Sequence, residues 1–188
     1  QYNDVNVLRV EKGFVNLEKH IENMKKFGLN PVVAINSFFT DSDEEVALVK
    51  EKCRAMGVIA IVSKGFSDGG LGTKELATAV VNEIENGNNK FKQLYDWNSS
   101  VKEKIETIAK EIYGADGVEY SKKALIELRK IENLGLDKLA ICMAKTQKSF
   151  SDNDRLTGRP TGFKVTVREF EFASGAGFII PILGNMMR

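Results

Sequence analysis

Apolar positions recur along this chain in two periods, and the alternation between them predicts its architecture. Phe14, Leu17, Ile21 and Met24 fall at alternating three- and four-residue steps, the stripe of an amphipathic helix, and Gly28 supplies a left-handed stop. Residues 1–10 carry no clear period and read as an entering segment. Residues 31–35 are a short run rich in β-branched side chains and bounded by Pro31 and Asn36-Ser37, which suits a strand buried on both faces of a parallel sheet. Ser42-Asp43-Glu44-Glu45 then caps a second helix whose buried face is Val46, Val49, Cys53 and Met56, closed by Gly57. A second apolar run at 58–62 precedes a glycine-rich loop, and Leu76, Val80 and Ile84 restore the helical stripe until Asn86-Gly87. Strand, helix, strand, helix in regular order predicts a parallel sheet covered by helices.

Beyond residue 90 the pattern changes. Residues 91–97 turn polar and aromatic, as a surface connection between two lobes, so we divide the chain at 1–90 and 91–188. Val101, Ile105, Ile108 and Ile112 predict a helix ending at Gly114, and Ser121 caps another carrying Leu125, Leu128 and Ile131. Residues 139–144 read as a short buried strand containing Cys142. Gly158-Arg159-Pro160-Thr161-Gly162 is a turn signal, after which Phe163, Val165 and Val167 alternate with Lys164, Thr166 and Arg168, the period of a half-exposed strand. A last apolar run follows Gly177. The fold class is therefore α/β, a parallel sheet with flanking helices, plus a smaller C-terminal α+β lobe.

Candidate chemistry collects at the ends of these runs. Ligands of open α/β sheets sit beyond the carboxyl ends of strands, which makes Asn36, Phe38, Thr40 and Asp41 the first candidates. The second strand end presents Phe66 in the loop 63–73, so that two aromatics on neighbouring strand ends offer a clamp for a flat heteroaromatic ligand. A plain strand-to-helix loop over core phenylalanines is the simpler alternative. Gly69-Gly70-Leu71-Gly72-Thr73-Lys74 precedes a helix but lacks the spacing of a phosphate loop, and a tight turn needing positive φ explains its glycines equally well. Residues 145–152 (Lys-Thr-Gln-Lys-Ser-Phe-Ser-Asp) are dense in hydrogen-bonding groups directly after a strand and form a second candidate ligand loop. Ser174-Gly175-Ala176-Gly177 lets backbone come close to another strand or to a ligand. His20, the sole histidine, lies off its helix stripe without partners at metal-ligand spacing, so it reads as solvent-facing and no metal site is expected.

Composition narrows the field. The 188 residues are 43% hydrophobic and 28% charged with a net charge of +1, enough for a sizeable core and without the basic excess that nucleic acid or an anionic membrane would call for. No apolar stretch approaches the ~20 residues of a membrane span. Cys53 and Cys142 both sit inside apolar patterns, as buried free thiols of a reducing compartment do, and the cytoplasm is expected. The chain opens on Gln1 and stops soon after an apolar run, as an excised piece of something longer would.

Several specific runs occur together in order: Asn16-Leu17-Glu18-Lys19-His20-Ile21-Glu22-Asn23; Val33-Ala34-Ile35-Asn36 with Phe38, Thr40 and Asp41; and Ala109-Lys110-Glu111-Ile112-Tyr113-Gly114-Ala115-Asp116. Cys142-Met143-Ala144-Lys145-Thr146-Gln147, Gly158-Arg159-Pro160, Thr166-Val167-Arg168-Glu169 and Ser174-Gly175-Ala176-Gly177-Phe178 continue the series. In these the chain resembles the C-terminal part of formate–tetrahydrofolate ligase, an enzyme with a P-loop NTPase-like architecture. The resemblance implies a reaction in which ATP and formate give formyl phosphate, which the N10 amine of tetrahydrofolate attacks to yield 10-formyltetrahydrofolate. It implies that Phe38 and Phe66 stack on the pterin, with Phe66 standing where the family usually has Trp; on that reading the nearby Asn36 and Asp41 would supply polar anchoring. It also places Ser174, Gly175, Ala176 and Gly177 near the nucleotide. ATP and Mg²⁺ would be held mainly by an N-terminal P-loop region without a counterpart here, so these residues alone are expected to be inactive, and the parent enzyme is expected to be a homo-oligomer. The catalytic residues are left unassigned. Two alternatives stand beside this one: a structural or assembly portion of the same enzyme, and a base-recognising turn at 36–41 of a P-loop relative.

Overall fold

The computed structural model describes residues 5–173 and 175–185. The chain divides between Lys92 and Gln93 into two compact units.

In the first unit, helix α1 (Val7–Lys26) starts earlier than its apolar period, because the Asn6 side chain accepts the Arg9 amide and caps it. Phe14 and Ile21 are buried on its inner face, whereas Met24, expected there, is 40% exposed. Gly28 adopts φ +73° and ends the helix region as predicted. Strand β1 (Val32–Asn36) pairs in parallel with β2 (Ile59–Ser63), Val32 opposite Ile59 and Asn36 opposite Ser63. Between them α2 (Asp43–Ala55) opens on a capping box in which the Ser42 hydroxyl and the Glu45 carboxylate each accept the other residue's amide. Cys53 and Val58 complete the small core with Phe14 and Ile21.

Helix α3 (Gly65–Asp68) is a single turn, and a 3₁₀ turn (Leu71–Thr73) leads into α4 (Lys74–Asn86). The glycine-rich stretch is wound into successive turns, with Gly69 at the positive φ that the tight-turn reading called for. Two other expectations change. Among the described residues the sheet of this unit has only two strands, so β1 and β2 are not buried on both faces: Ile59 is 51% exposed. The α4 stripe is likewise uncovered, with Val80 and Ile84 exposed. Residues 89–92 return to α1, where the Lys90 and Lys92 amides donate to the Gly28 and Phe27 carbonyls and Phe91 stacks on Phe27.

The second unit is built on a mixed four-stranded sheet. Its strands are β3 (Gly117–Tyr120), β4 (Ala140–Ile141), β5 (Lys164–Ala173) and β6 (Phe178–Leu183), in the order β3-β5-β6-β4. β3 runs parallel to β5 and β4 parallel to β6, while β5 and β6 form an antiparallel hairpin. Helix α5 (Val101–Thr107) continues as a π-helix through Ile108–Tyr113 before Gly114 closes it in the left-handed conformation. The wider turn shifts the buried face from Ile108 to Ala109. Helix α6 (Lys122–Asn133), capped by Ser121, buries Ala124, Leu128 and Ile131 but leaves Leu125 exposed, a quarter-turn correction to its predicted stripe. With Val101, Ile105, Val165, Val167, Ile179 and Leu183 these form the core. Each such aliphatic side chain stabilises the fold by roughly 1.5–3 kcal/mol on burial.

Strand β4 is shorter than residues 139–144, and alternation along it puts Ile141 inside and Cys142 outside. Only Cys53 is the buried thiol expected of both cysteines. Along β5 the predicted alternation holds through Val165 and Val167. A register irregularity between Val167 and Glu169 then brings Phe170 inward.

Candidate functional site

Two clusters of polar and aromatic groups stand at strand ends, one in each unit. In the first, β1 leads directly into a turn held by Asp41, whose Oδ2 accepts the Phe38 amide at 2.8 Å while its own amide donates to the Phe38 carbonyl at 3.1 Å. Asp41 thus fixes both backbone groups of Phe38, the amide through its side chain and the carbonyl through its own backbone amide. The neighbouring strand is joined by the Ser37 amide donating to the Ser63 carbonyl, and Phe66 follows on the single turn of α3. The ring centroids of Phe38 and Phe66 lie 6.2 Å apart with planes inclined by 42°.

Both rings are unusually open: Phe38 is 49% and Phe66 84% exposed. The alternative in which they are core residues under loops is thereby excluded. A heterocycle sandwiched between two rings needs roughly 7 Å between parallel planes, two contacts of about 3.5 Å. At 6.2 Å and inclined by 42°, the rings stand closer together and less parallel than such a sandwich needs. Asn36 ends β1 exposed on the same edge, opposite Ser63. Of the four residues singled out around the clamp, the fold brings Asn36, Phe38, Phe66 and Asp41 to one end of one parallel strand pair.

The glycines beside Phe66 have a structural origin. The Lys64 amide donates to the Gly72 carbonyl, and a Cβ at Gly72 would lie 2.4 Å from the Lys64 carbonyl oxygen. Gly69 adopts φ +57°. These two glycines allow the chain to fold back on the end of β2 and so set where Phe66 stands.

The second cluster surrounds a cavity of about 820 Å³ lined by Thr146, Gln147, Lys148, residues 152–155, Thr166, Gly184 and Asn185. It lies beyond the carboxyl ends of the parallel strands β4 and β6. The first part of its lining is the hydrogen-bonding stretch noted at 145–152. The contributions of Asn153, Asp154, Arg155, Thr166 and Gly184 were not legible, because they depend on which strands pair. Lys145 scaffolds the loop: its ammonium donates to the carbonyls of Thr146 and Ser149 and lies 5.1 Å from the Tyr113 ring centroid. Burial pushes its pKa down, opposed by the nearby Asp152. The hydroxyls of Ser149 and Ser151 are 3.0 Å apart, and each accepts a backbone amide of the loop.

The residues 175–177 lie at the opposite end of the β5–β6 hairpin from this cavity. The Ala176 amide donates to the Ala173 carbonyl, and Gly177 has φ +72°, as a tight hairpin turn requires. A Cβ at Gly175 or Gly177 would meet nothing within 4 Å, so close packing does not require a glycine at either position. Ser174 lies outside the described residues. Among the described residues no group of three or more His, Cys, Asp or Glu could hold a metal ion, and no helix is long and apolar enough to cross a membrane. His20 is exposed.

The sequence profile of the formate–tetrahydrofolate ligase family matches residues 1–188. The chain belongs to that family. Formate–tetrahydrofolate ligases are α/β enzymes, and their substrates are tetrahydrofolate, formate and ATP. The resemblance read from the scattered motifs therefore extends along the whole chain.

Proposed function

We propose that the first unit carries the folate side of a formate–tetrahydrofolate ligase, with the pterin ring held between Phe38 and Phe66. The observation that carries this reading is the pair of phenyl rings on adjacent strand ends, 6.2 Å apart and largely open to solvent. Exposed phenylalanines forgo the burial that normally places them inside, which a flat apolar ligand would restore. Since both side chains are exposed, parting them by about 1 Å and levelling their planes costs little packing. Asn36 supplies a polar group at the edge of that space. Asp41 positions Phe38, with its second carboxylate oxygen left to meet the ligand. Holding the pterin flat orients the rest of the folate, and its N10 amine, for attack on formyl phosphate.

Titration of a tetrahydrofolate analogue by calorimetry tests the clamp. Each of Phe38→Ala and Phe66→Ala is expected to weaken binding roughly two- to twelve-fold, the equivalent of ~0.5–1.5 kcal/mol of stacking. Affinity unchanged from wild type in both variants would refute it.

On the resemblance, the nucleotide is assigned to the loop with Ser174, Gly175, Ala176 and Gly177. The 188 residues contain no Gly-x-x-x-x-Gly-Lys-Ser/Thr, and phosphoryl transfer without an anion cradle and Mg²⁺ lacks its main charge stabilisation. These residues alone are accordingly expected not to turn over ATP. ATP hydrolysis dependent on formate and tetrahydrofolate by the isolated chain would overturn that. A reducing, cytoplasmic setting suits the unpaired Cys53 and Cys142.

A second reading, an assembly role without autonomous ligand binding, is favoured by the uncovered apolar residues Val80, Val81 and Ile84 on α4. Concentration-dependent association in sedimentation, with no folate binding, would support it over the clamp.

A further inference from the structure

The cavity of the second unit has a built floor and an unbalanced charge. Its floor is formed where the loop backbone passes directly over the end of β6: a Cβ at Gly184 would lie 2.5 Å from the Asp152 carbonyl oxygen, and Gly184 has φ +57°. Asp152 Oδ2 accepts the Thr166 amide at 2.8 Å, tying the loop to the start of β5. The Gly184 amide closes the ring by donating to the Thr166 carbonyl. The loop is therefore pre-organised before any ligand arrives, which lowers the ordering cost of binding.

Five charged side chains belong to this loop: Lys145, Lys148, Asp152, Asp154 and Arg155. Lys145 is committed to two carbonyls, and Asp152 lies near enough to favour its charged form. Lys148 Nζ stands 4.0 Å from Asp154 Oδ2. Arg155 is left over. Its backbone amide is held by Asn153 Oδ1 at 3.0 Å, so its position in the lining is set, but its guanidinium makes no hydrogen bond or ion pair to another described residue. A guanidinium matches the paired oxygens of a carboxylate or phosphate with two parallel hydrogen bonds. Around it Gln147, Thr166 and Asn185 supply polar groups suited to a small hydrophilic molecule.

We propose that this cavity binds a small polar oxyanion, a carboxylate or a phosphate, with Arg155 as the recognising cation. The site is independent of the folate reading, since loss of stacking at Phe38 or Phe66 would leave it untouched.

Amide correlation spectra of the full chain, titrated with succinate and separately with inorganic phosphate at constant ionic strength, test it and distinguish the two oxyanion types. At least one anion is expected to give saturable shifts concentrated at Lys148, Asn153, Arg155 and Thr166. Arg155→Gln should weaken that binding at least tenfold, and Arg155→Lys, which keeps charge but loses the fork, should fall between. Arg155 is exposed, so both variants are expected to fold, as their unchanged spectra elsewhere would confirm. Three results would each overturn the proposal: no saturation with either anion into the tens-of-millimolar range, the same affinity in Arg155→Gln, or equal shifts at the exposed Lys110 and Lys164.

Discussion

Lys104 Nζ donates to the Asp137 carbonyl at 2.7 Å, across 33 residues of sequence, and none of the residue is open to solvent. The same ammonium reaches the Leu139 carbonyl at 3.3 Å and lies 5.9 Å from the Tyr95 ring centroid. One cation thus holds the segment between α6 and β4 against α5. Lys104→Met would keep much of the volume but leave those carbonyls without their donor. Unfolding in urea is expected to show a loss of about 2–4 kcal/mol, since hydrogen bonds to charged groups contribute ~1.5–3 kcal/mol each. Burial lowers the Lys104 pKa below its ordinary 10.5. The unfolded chain then holds this proton at pH values where the folded chain releases it, so stability at this site rises as pH climbs through the folded pKa toward 10.5. Wild type should accordingly gain on Lys104→Met over that alkaline window, and a difference that stays flat or shrinks would contradict the assignment.

Glu45 joins two helix starts. Its Oε1 accepts the Asn6 amide at 2.7 Å and its Oε2 the Ser42 amide at 3.1 Å. These backbone hydrogen bonds, that from Asn6 first, hold its pKa below the ordinary 4.5. A carboxylate depressed in this way contributes stability that is present above pH 4.5 and is lost as pH falls through the folded pKa. Thermal melts of wild type and Glu45→Gln are expected to differ at neutral pH and to converge on acidification. A gap that widened below pH 4.5 would show the carboxylate to be uninvolved.

Gly72 and Gly70 make a matched test of the turn that carries Phe66. A Cβ at Gly72 would meet the Lys64 carbonyl carbon at 2.6 Å, backbone that cannot swing aside, whereas a Cβ at Gly70 meets nothing within 4 Å. Gly70 also has a helical φ of −61°. Gly72→Ala is expected to cost more than about 1 kcal/mol and to weaken binding of a folate analogue by displacing Phe66, while Gly70→Ala should be neutral or slightly stabilising. Equal melting temperatures for the two variants would argue against the close approach.

Ile131 and Ile84 occupy equivalent places in two amphipathic patterns but differ in surroundings, being 0% and 74% exposed. Truncation of Ile131 to Ala is expected to cost about 2–5 kcal/mol, and of Ile84 to remain within ~0.5 kcal/mol in the same denaturation assay. A large effect of Ile84→Ala in the full chain would mean that α4 is covered in solution.

What the amino-acid order determined is local. Caps at Ser42, Ser100 and Ser121 bond the amides three residues on, and Gly28, Gly57 and Gly114 reverse the chain where their positive φ is needed. Helix and strand periods over α1, α2, α6 and β5 could be read directly for the same reason: each depends on contacts within a few residues. The aromatic pair at Phe38 and Phe66 was legible too, since parallel strands joined by one helix place their carboxyl ends side by side. Tertiary structure decided the rest. The irregularity before Glu169 and the outward Cys142 follow from strand register, which a one-residue slip reverses, and the π-turn at Ile108–Tyr113 departs from the helical period the apolar residues suggest. Only the pairing of β6 with both β4 and β5 brings Arg155, Thr166 and Gly184 around one cavity. Such a site is made by residues distant in sequence, whose meeting no local period encodes.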